Sequence, residues 1–247
     1  MNRFPKRVIA RVLVRSLSVQ GSWNYRTLIG TGFAYALLPV LRHIYEGKPA
    51  ELQAAVKRHT ELFNSHPYLS PLALGAVGAL EGNERPEVIA RFKTAVRGSL
   101  GTLGDRLVWA GWRPVCALLA LLLVALGAHW AIAVFAFLLV YNAGHLWLRW
   151  WSLRFGLEHG KHVGEELRKL PVQKVQRTLD FAGAVLVGTL LPLVIIRPAL
   201  PGWGGALFTG ALVVAALLGL RFGGRVRTPV ALVLSIATLL ALLVGAL

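Results

Sequence analysis

The sequence predicts an all-α, polytopic membrane protein, and three observations carry that prediction. The first is a set of long apolar tracts: Pro114–Ala143, Phe181–Ile196, Ala206–Leu220 and Pro229–Leu247. With 55% hydrophobic residues in 247 and a mean hydropathy of +0.59, the chain has more such runs than one soluble core of this size would bury. The second is the placement of charge, since Lys and Arg cluster beside the apolar tracts. The third is a pair of shorter apolar segments broken by Gly and Pro, Thr27–Leu41 and Leu69–Leu80. Together they predict an N-terminal amphipathic helix, short broken or re-entrant helices, and about five membrane passes or half-passes.

The formal net charge of +16 raises nucleic-acid binding as an alternative. The basic residues flank membrane segments instead, where anionic lipids are the expected partner, so nucleic acid is set aside. The single cysteine, Cys116, sits inside an apolar run and cannot form an internal disulfide. Its expected role is that of a small buried hydrophobe. At the N-terminus, Arg3, Arg7, Arg11 and Arg15 recur every four residues, one stripe of a helix. Val8, Ile9, Val12, Leu13 and Leu17 occupy its other positions, which suits a helix in the headgroup region facing anionic lipid.

Two portions follow from the composition. Residues 1–113 are polar-rich, carrying 16 of the 27 Lys/Arg and 7 of the 11 acids, and are read as an amphipathic and re-entrant portion. Residues 114–247 are read as the transmembrane portion, with a cytoplasmic helical segment at 149–177. In the first portion Gly47–Pro49 reads as a turn, Ala50–Phe63 as an amphipathic helix and Glu87–Arg97 as another. Gly98, Gly101 and Gly104 then precede Asp105; this is neither a Walker loop nor a dinucleotide fingerprint. Close backbone packing explains the three glycines most simply, and a close ligand approach is the sharper alternative.

In the second portion, Pro114–Ala143 is interrupted at Gly127-Ala128-His129-Trp130, so a hairpin and a single tilted span are both open. Charge favours the hairpin: Arg149–Arg177 carries seven Lys/Arg and three acids, which places it in the cytoplasm with the N-terminus. Three later passes then leave the C-terminus outside. Gly156, Gly160 and Gly164 recur at four-residue spacing, a pattern that lets helices approach closely. Trp147, Trp150 and Trp151 with Arg149 read as an interfacial belt.

The densest chemistry lies in Val56–Glu81. A polar cassette (Lys57, Arg58, His59, Glu61, Asn64, Ser65, His66) runs into the apolar segment Leu69–Leu80, whose 12 residues are too few to cross a bilayer. Broken segments of this kind are where transporters place polar solutes.

These cassettes resemble a known family. Gln20-Gly21-Ser22-Trp23-Asn24-Tyr25 with Gly32-Phe33 and Pro39 is similar to the QGSWN(F/Y)E…GF…P pattern of IID subunits of mannose–fructose–sorbose phosphotransferase-system (PTS) permeases. Lys57-Arg58-His59…Phe63-Asn64-Ser65-His66-Pro67 resembles that family's RRHLEFFNTQP, and Leu80-Glu81 its ALEE. Gly104-Asp105…Trp109…Arg113-Pro114 resembles its GVGDP…W…RP, and Tyr141-Asn142 and Gly156…Gly160-Lys161 fall in order. The resemblance covers residues 11–195. Departures are Arg26 after the first motif, Ser65-His66 in the second and Arg106 after Asp105.

The resemblance implies a division of labour. A IIC membrane subunit and this chain would form the passage and binding site for a mannose-type hexose, which IIB phosphorylates during uptake with IIA upstream. The chain itself would then carry no catalytic residue, cofactor or metal, and IIC–IID pairs would assemble into a higher oligomer of the bacterial inner membrane. A non-transporting scaffold or sensory subunit of the same family is the alternative, and the departures fit it.

Sugar hydroxyls need donors and acceptors, and a sugar ring packs on an aromatic face. Asn64, Ser65 and His66 offer the former at a helix break, and Trp23 and Trp109 the latter, with Asn24, Glu81 and Asp105 as further ligand candidates. Asn64 competes with a role as helix cap, and Trp23 and Trp109 with roles as interfacial anchors. Glu81 and Asp105 are each expected to pair with Arg58, Arg106 or Arg113 more readily than with substrate. Arg58, His59 and Arg113 are read as supporting residues, His59 holding the cassette against Glu61 or Asp105. His159 and His162, near Glu158, Glu165 and Glu166, read as a charged helix face rather than a metal site.

Overall fold

A computed structural model of the protein describes residues 4–191 and 193, so the expected passes at Ala206–Leu220 and Pro229–Leu247 lie outside the described residues. The described chain divides into two compact units. One gathers the chain up to Arg113 with Leu138–Arg177; the other gathers Pro114–Phe137 with the chain from Thr178 onward.

In the first unit, α1 (Lys6–Ser16) buries Val8, Val12 and Ser16 and leaves Arg7 and Arg11 exposed. It packs mainly on α2 (Gly30–Ile44), so its apolar face is covered by protein and its basic face is what it presents outward. The Arg15 guanidinium lies 4.5 Å from the Tyr35 ring centroid and donates to the Tyr35 carbonyl at 3.2 Å. Helix α2 continues through Pro39. Helix α3 (Pro49–His59) starts on a proline at its first turn, with Glu51 near its positive end and Lys57, Arg58 and His59 at its negative end.

Helix α4 (Ser70–Leu80) is the apolar segment too short to span. Ten of its 11 residues are buried, so protein covers a helix that has no polar face of its own. It meets α7 (Trp130–His159) almost backbone to backbone: a Cβ at Gly75 would strike the Leu153 carbonyl, and one at Gly156 the Leu72 carbonyl. The predicted close approach is therefore real at Gly156, whereas Gly164 has open space around it.

Helix α5 (Pro86–Gly104) runs straight through Gly98 and Gly101, which also face open space, into a π-helical stretch, Asp105–Trp112. The sequence carries no signal for that π-helical segment, a type of widening that favours functional positions. Later, a 3-10 turn (Gly160–His162) leads to α8 (Val163–Lys169).

In the second unit, α6 (Arg113–Ala125) and the start of α7 are separated by the turn at Gly127, which resolves Pro114–Ala143 as two helices. With α9 (Val172–Leu191) they bury Val115, Cys116, Ala133, Leu186 and Leu190. Their outward faces stay apolar, with Trp130, Phe135 and Phe181 each more than 60% exposed. Two described helical stretches, Pro86–Ala125 and Trp130–Lys169, are long and apolar enough to cross a membrane.

Candidate functional site

Two clusters of polar side chains are buried in the first unit. One is centred on Glu81, the C-cap of α4. Its side chain has no exposed surface, yet three donors reach it. Arg58 Nη2 donates to Oε1 at 2.8 Å and Oε2 at 3.0 Å, Tyr45 Oη to Oε2 at 2.7 Å, and His59 Nε2 lies 2.7 Å from Oε1.

Burial alone would raise the Glu81 carboxyl. The hydrogen bonds from His59, Arg58 and Tyr45 outweigh it and hold the group down at about 2. Burial also pushes Tyr45 up to about 12, with the adjacent carboxylate reinforcing the shift. His59 is lowered, chiefly by burial and against the pull of Glu81, so it is neutral and donates its Nε2–H. Arg58 is the ion-pair partner of the carboxylate. Lys93 of α5, itself buried, donates at 3.1 Å to the Arg58 carbonyl, with its ammonium 5.4 Å from the Phe33 ring centroid.

The second cluster surrounds His66. A Cβ at Gly104 would collide with the His66 side chain, so that glycine is the seat that lets the imidazole lie against the end of α5. The ring sits 4.8 Å from Trp109 and 5.1 Å from Tyr68, centroid to centroid. Tyr68 stacks on His145 at 4.6 Å, and its hydroxyl lies 2.8 Å from that of Tyr141. The Arg149 guanidinium lies 4.8 Å from the Tyr68 ring centroid and donates to the Ser16 carbonyl at 2.7 Å.

Arg149 is 3% exposed and has no ion pair among the described residues. Among the described residues, buried hydrogen-bonding atoms without a partner include His66 Nε2, His145 Nδ1 and Arg149 Nε here, with Trp112 Nε1 and Ser152 Oγ on the neighbouring turns, and Arg58 Nε and His59 Nδ1 in the first cluster. Burial, then the Arg149 charge, lowers His66 to about 4. It is a neutral imidazole whose Nδ1 accepts from the Tyr68 amide at 3.2 Å, which leaves the proton on the unpartnered Nε2 as a donor.

The sequence-predicted residues distribute over these clusters and one loop. His66 and Trp109 come together, Trp109 on the π-helical stretch with the Arg113 guanidinium 5.1 Å from its ring centroid. Ser65 is buried beside His66, its hydroxyl 3.4 Å from the His66 carbonyl. Asn64 is exposed at the mouth of the same turn, and Asp105 is exposed at the start of the π-helical stretch. Glu81, Arg58 and His59 form the first cluster, so His59 holds Glu81 and not Glu61 or Asp105.

Asn24 folds its own loop: its Oδ1 accepts from the Arg26 and Thr27 amides, and its Nδ2 donates to Thr27 Oγ1 at 2.8 Å. Trp23 packs edge-on against Tyr25 at 4.8 Å and is half exposed. This loop is strapped to the cassette, since the Phe63 amide donates to the Thr27 carbonyl at 3.2 Å and the Ile29 amide to the Phe63 carbonyl at 3.0 Å.

Four residues of the second cluster escaped sequence reasoning: Tyr68, Tyr141 in its contact role, His145 and Arg149. Arg149 is not part of an interfacial belt; it turns inward. The available signal was the i, i+4 pair His145/Arg149 in an apolar helix, where ionisable groups cost free energy and so mark function or pairing. Among the described residues no group of three or more His, Cys, Asp or Glu side chains has metal-site geometry. His159 bonds the Phe155 carbonyl at 2.9 Å and His162 faces Glu165 at 3.5 Å.

Residues 3–197 match the family model of the PTS system mannose/fructose/sorbose family IID component. Among curated proteins, the fructose permease IID component of Bacillus subtilis is 29% identical over 195 residues, spanning 76% of this chain and 70% of the relative. The PTS system mannose-specific EIID component of Escherichia coli is 28% identical over 203 residues, 76% and 71% of the two chains. The sorbose-specific EIID component of Klebsiella pneumoniae is 28% identical over 215 residues, 81% and 77%. Among solved structures, a chain of the mannose transporter ManYZ in complex with a microcin aligns with a TM-score of 0.60 at 21% identity, covering 96% of this chain and 95% of that one. A chain described as a membrane protein aligns at 0.69 and 23%, covering 99% and 98%. At these identities the structural likeness concerns the fold.

Proposed function

From the premise that the chain belongs to the mannose/fructose/sorbose family of PTS IID components, and so is a subunit of a sugar permease, we propose the following role. With a IIC membrane subunit it forms the passage and binding site for a mannose-type hexose, which IIB, charged by IIA, phosphorylates during uptake. The chain sits in the bacterial inner membrane with its N-terminus in the cytoplasm and its C-terminus outside, its basic helix α1 toward anionic lipid, and IIC–IID pairs assemble further. Residues 1–113 carry the sugar-site motifs and 114–247 the transmembrane portion.

The observation that carries the reading is the His66 cluster. A neutral imidazole with an unpartnered Nε2 lies beside the half-buried face of Trp109, with phenol hydroxyls and a second imidazole around it. Hydroxyl-rich solutes need this mixture of amphoteric donors and ring faces. Asn64 and Ser65 flank His66 at the mouth, and Asp105 lies one residue beyond Gly104, the seat of the imidazole. The loop that carries Asn24 and Trp23 is tied through the Thr27–Phe63 strap to the residue before Asn64. Glu81, with its donors Arg58 and His59, fixes the cassette in place and acts as a positioning residue.

The test is phosphoenolpyruvate-dependent phosphorylation of labelled mannose by membranes holding IIC with wild-type, Asn64→Ala or His66→Ala chain, or no chain, the soluble components being supplied throughout. Activity that requires the chain and falls with either substitution at unchanged expression supports the reading. A stable complex with IIC that phosphorylates no hexose favours the scaffold or sensory subunit.

A further inference from the structure

A groove of about 820 Å³ lies within the first unit, between one face of α1 and one face of α7, with Ala79 of α4 at its floor. Lys6, Ile9, Ala10 and Leu13 line the first wall at helical steps of three, one and three residues. Trp150, Arg154 and Leu157 line the second at steps of four and three, with Glu158 on the rim.

Two contacts orient the walls. Arg149 bonds the Ser16 carbonyl at 2.7 Å, which sets the C-terminal end of α1 beside the start of the α7 face. Gly160 lies against Ala79, its Cβ position 3.5 Å away, which sets the floor at the far end of that face. The two helices therefore run in opposite directions along the groove. Lys6 and Glu158 fall at one end and Leu13 and Trp150 at the other, with Arg154 reaching back over the Trp150 ring, 5.0 Å from its centroid. Lys6 and Glu158 carry charge at one end and Arg154 over the Trp150 ring, while Ile9, Ala10, Leu13 and Leu157 form the apolar lining between them.

We propose that this groove is a binding site for one phosphatidylglycerol molecule, bridging α1 and α7. Lys6, Arg154 and Glu158 together carry a net +1, which complements the single negative charge of a phosphodiester. Lys6 and Arg154 hold the phosphate from opposite walls, and Glu158 accepts from the headgroup hydroxyls. One acyl chain lies along Ile9, Leu13 and Leu157. The proposal rests on the chain's being a membrane protein and is independent of where sugar binds.

The test is native mass spectrometry of the full-length chain, extracted in mild detergent together with its companion membrane subunit and then stripped of lipid. Four probes are added separately: phosphatidylglycerol, phosphatidylethanolamine of the same acyl composition, diacylglycerol and glycerol 1-phosphate. The expected result is one tightly retained phosphatidylglycerol per chain, with the other three bound more weakly. Lys6→Ala combined with Arg154→Ala weakens retention at least about tenfold, while Arg85→Ala combined with Arg91→Ala, outside the groove, leaves it unchanged. Ala10→Trp, which fills the groove without removing charge, also evicts the lipid.

Equal retention by the parent and both groove variants overturns the site. Equal binding of phosphatidylethanolamine or diacylglycerol overturns the headgroup assignment. A crosslink from Leu13→Cys to a polypeptide, rather than to lipid, assigns the groove to a protein partner and also overturns it. Mannose phosphorylation measured on the same preparations separates these outcomes from a failure of the sugar reading.

Discussion

The two buried polar clusters are built from similar side chains and solve opposite problems. Around Glu81 both carboxylate oxygens are bonded and Arg58 balances the charge, so the cluster behaves as a fastener between α3 and the end of α4. Around His66 a buried arginine has no ion pair among the described residues, and His66 Nε2, His145 Nδ1 and Arg149 Nε lack a partner there, against Arg58 Nε and His59 Nδ1 around Glu81, so the His66 cluster is the one left open to an additional ligand. Each unsatisfied buried group costs free energy, and a buried charge without a counter-charge costs most. Function is therefore sought in the polar cluster whose buried charge is unbalanced.

The hardest way to break this comparison is to unbalance the fastener. Arg58→Ala leaves the Glu81 carboxylate buried without its counter-charge, and is expected to destabilise the protein by about 3–5 kcal/mol. Thermal unfolding of the detergent-solubilised chain reads this. Arg58→Met combined with Glu81→Leu should recover only part of the loss, because it removes the unpaired charge but leaves His59 Nε2–H and Tyr45 Oη without their acceptor.

A smaller effect is expected where α4 meets α7. Gly156→Ala puts a methyl into the Leu72 carbonyl, and the required shift is expected to cost about 1–3 kcal/mol. Gly164→Ala has no neighbour to strike and should be silent or mildly stabilising in the same assay.

His66→Ala and Trp109→Ala sharpen the comparison from the other side. They should lower sugar phosphorylation by about tenfold or more while shifting the unfolding temperature less than Arg58→Ala does. Equal damage to stability from both clusters would erase the distinction.

The fastener also carries a pH dependence. The folded Glu81 carboxyl lies at about 2, below its ordinary 4.5, so its stabilisation is complete above the ordinary value and is lost as pH falls toward the folded one. Unfolding temperature should therefore drop between pH 4.5 and about 2 in the wild type more steeply than in Arg58→Met/Glu81→Leu.

Much of the architecture was legible in the sequence because periodicity and local chemistry encode it. The proline starts of α3 and α5, the buried nature of Leu69–Leu80 and the break at Gly127 all follow from backbone and solvation rules within a few residues. His66 and Trp109 were legible as site candidates from residue type and order. Their partners Tyr68, His145 and Arg149 were not, because 79 residues separate His145 from His66 and nothing local fixes which face of α7 turns inward. The π-helical stretch that carries Trp109 was invisible for the same reason.

By itself, then, the sequence determined the helical class, the membrane setting, the family and a short apolar segment that cannot cross a bilayer, since each depends on patterns read within one segment. The tertiary structure decided which acid Arg58 and His59 hold, which arginine is buried without an ion pair among the described residues, and which glycines are contacts and which are open. Those outcomes depend on side chains brought together from distant segments, where a shift of one residue on a helix turns a side chain by about 100° and changes its partner.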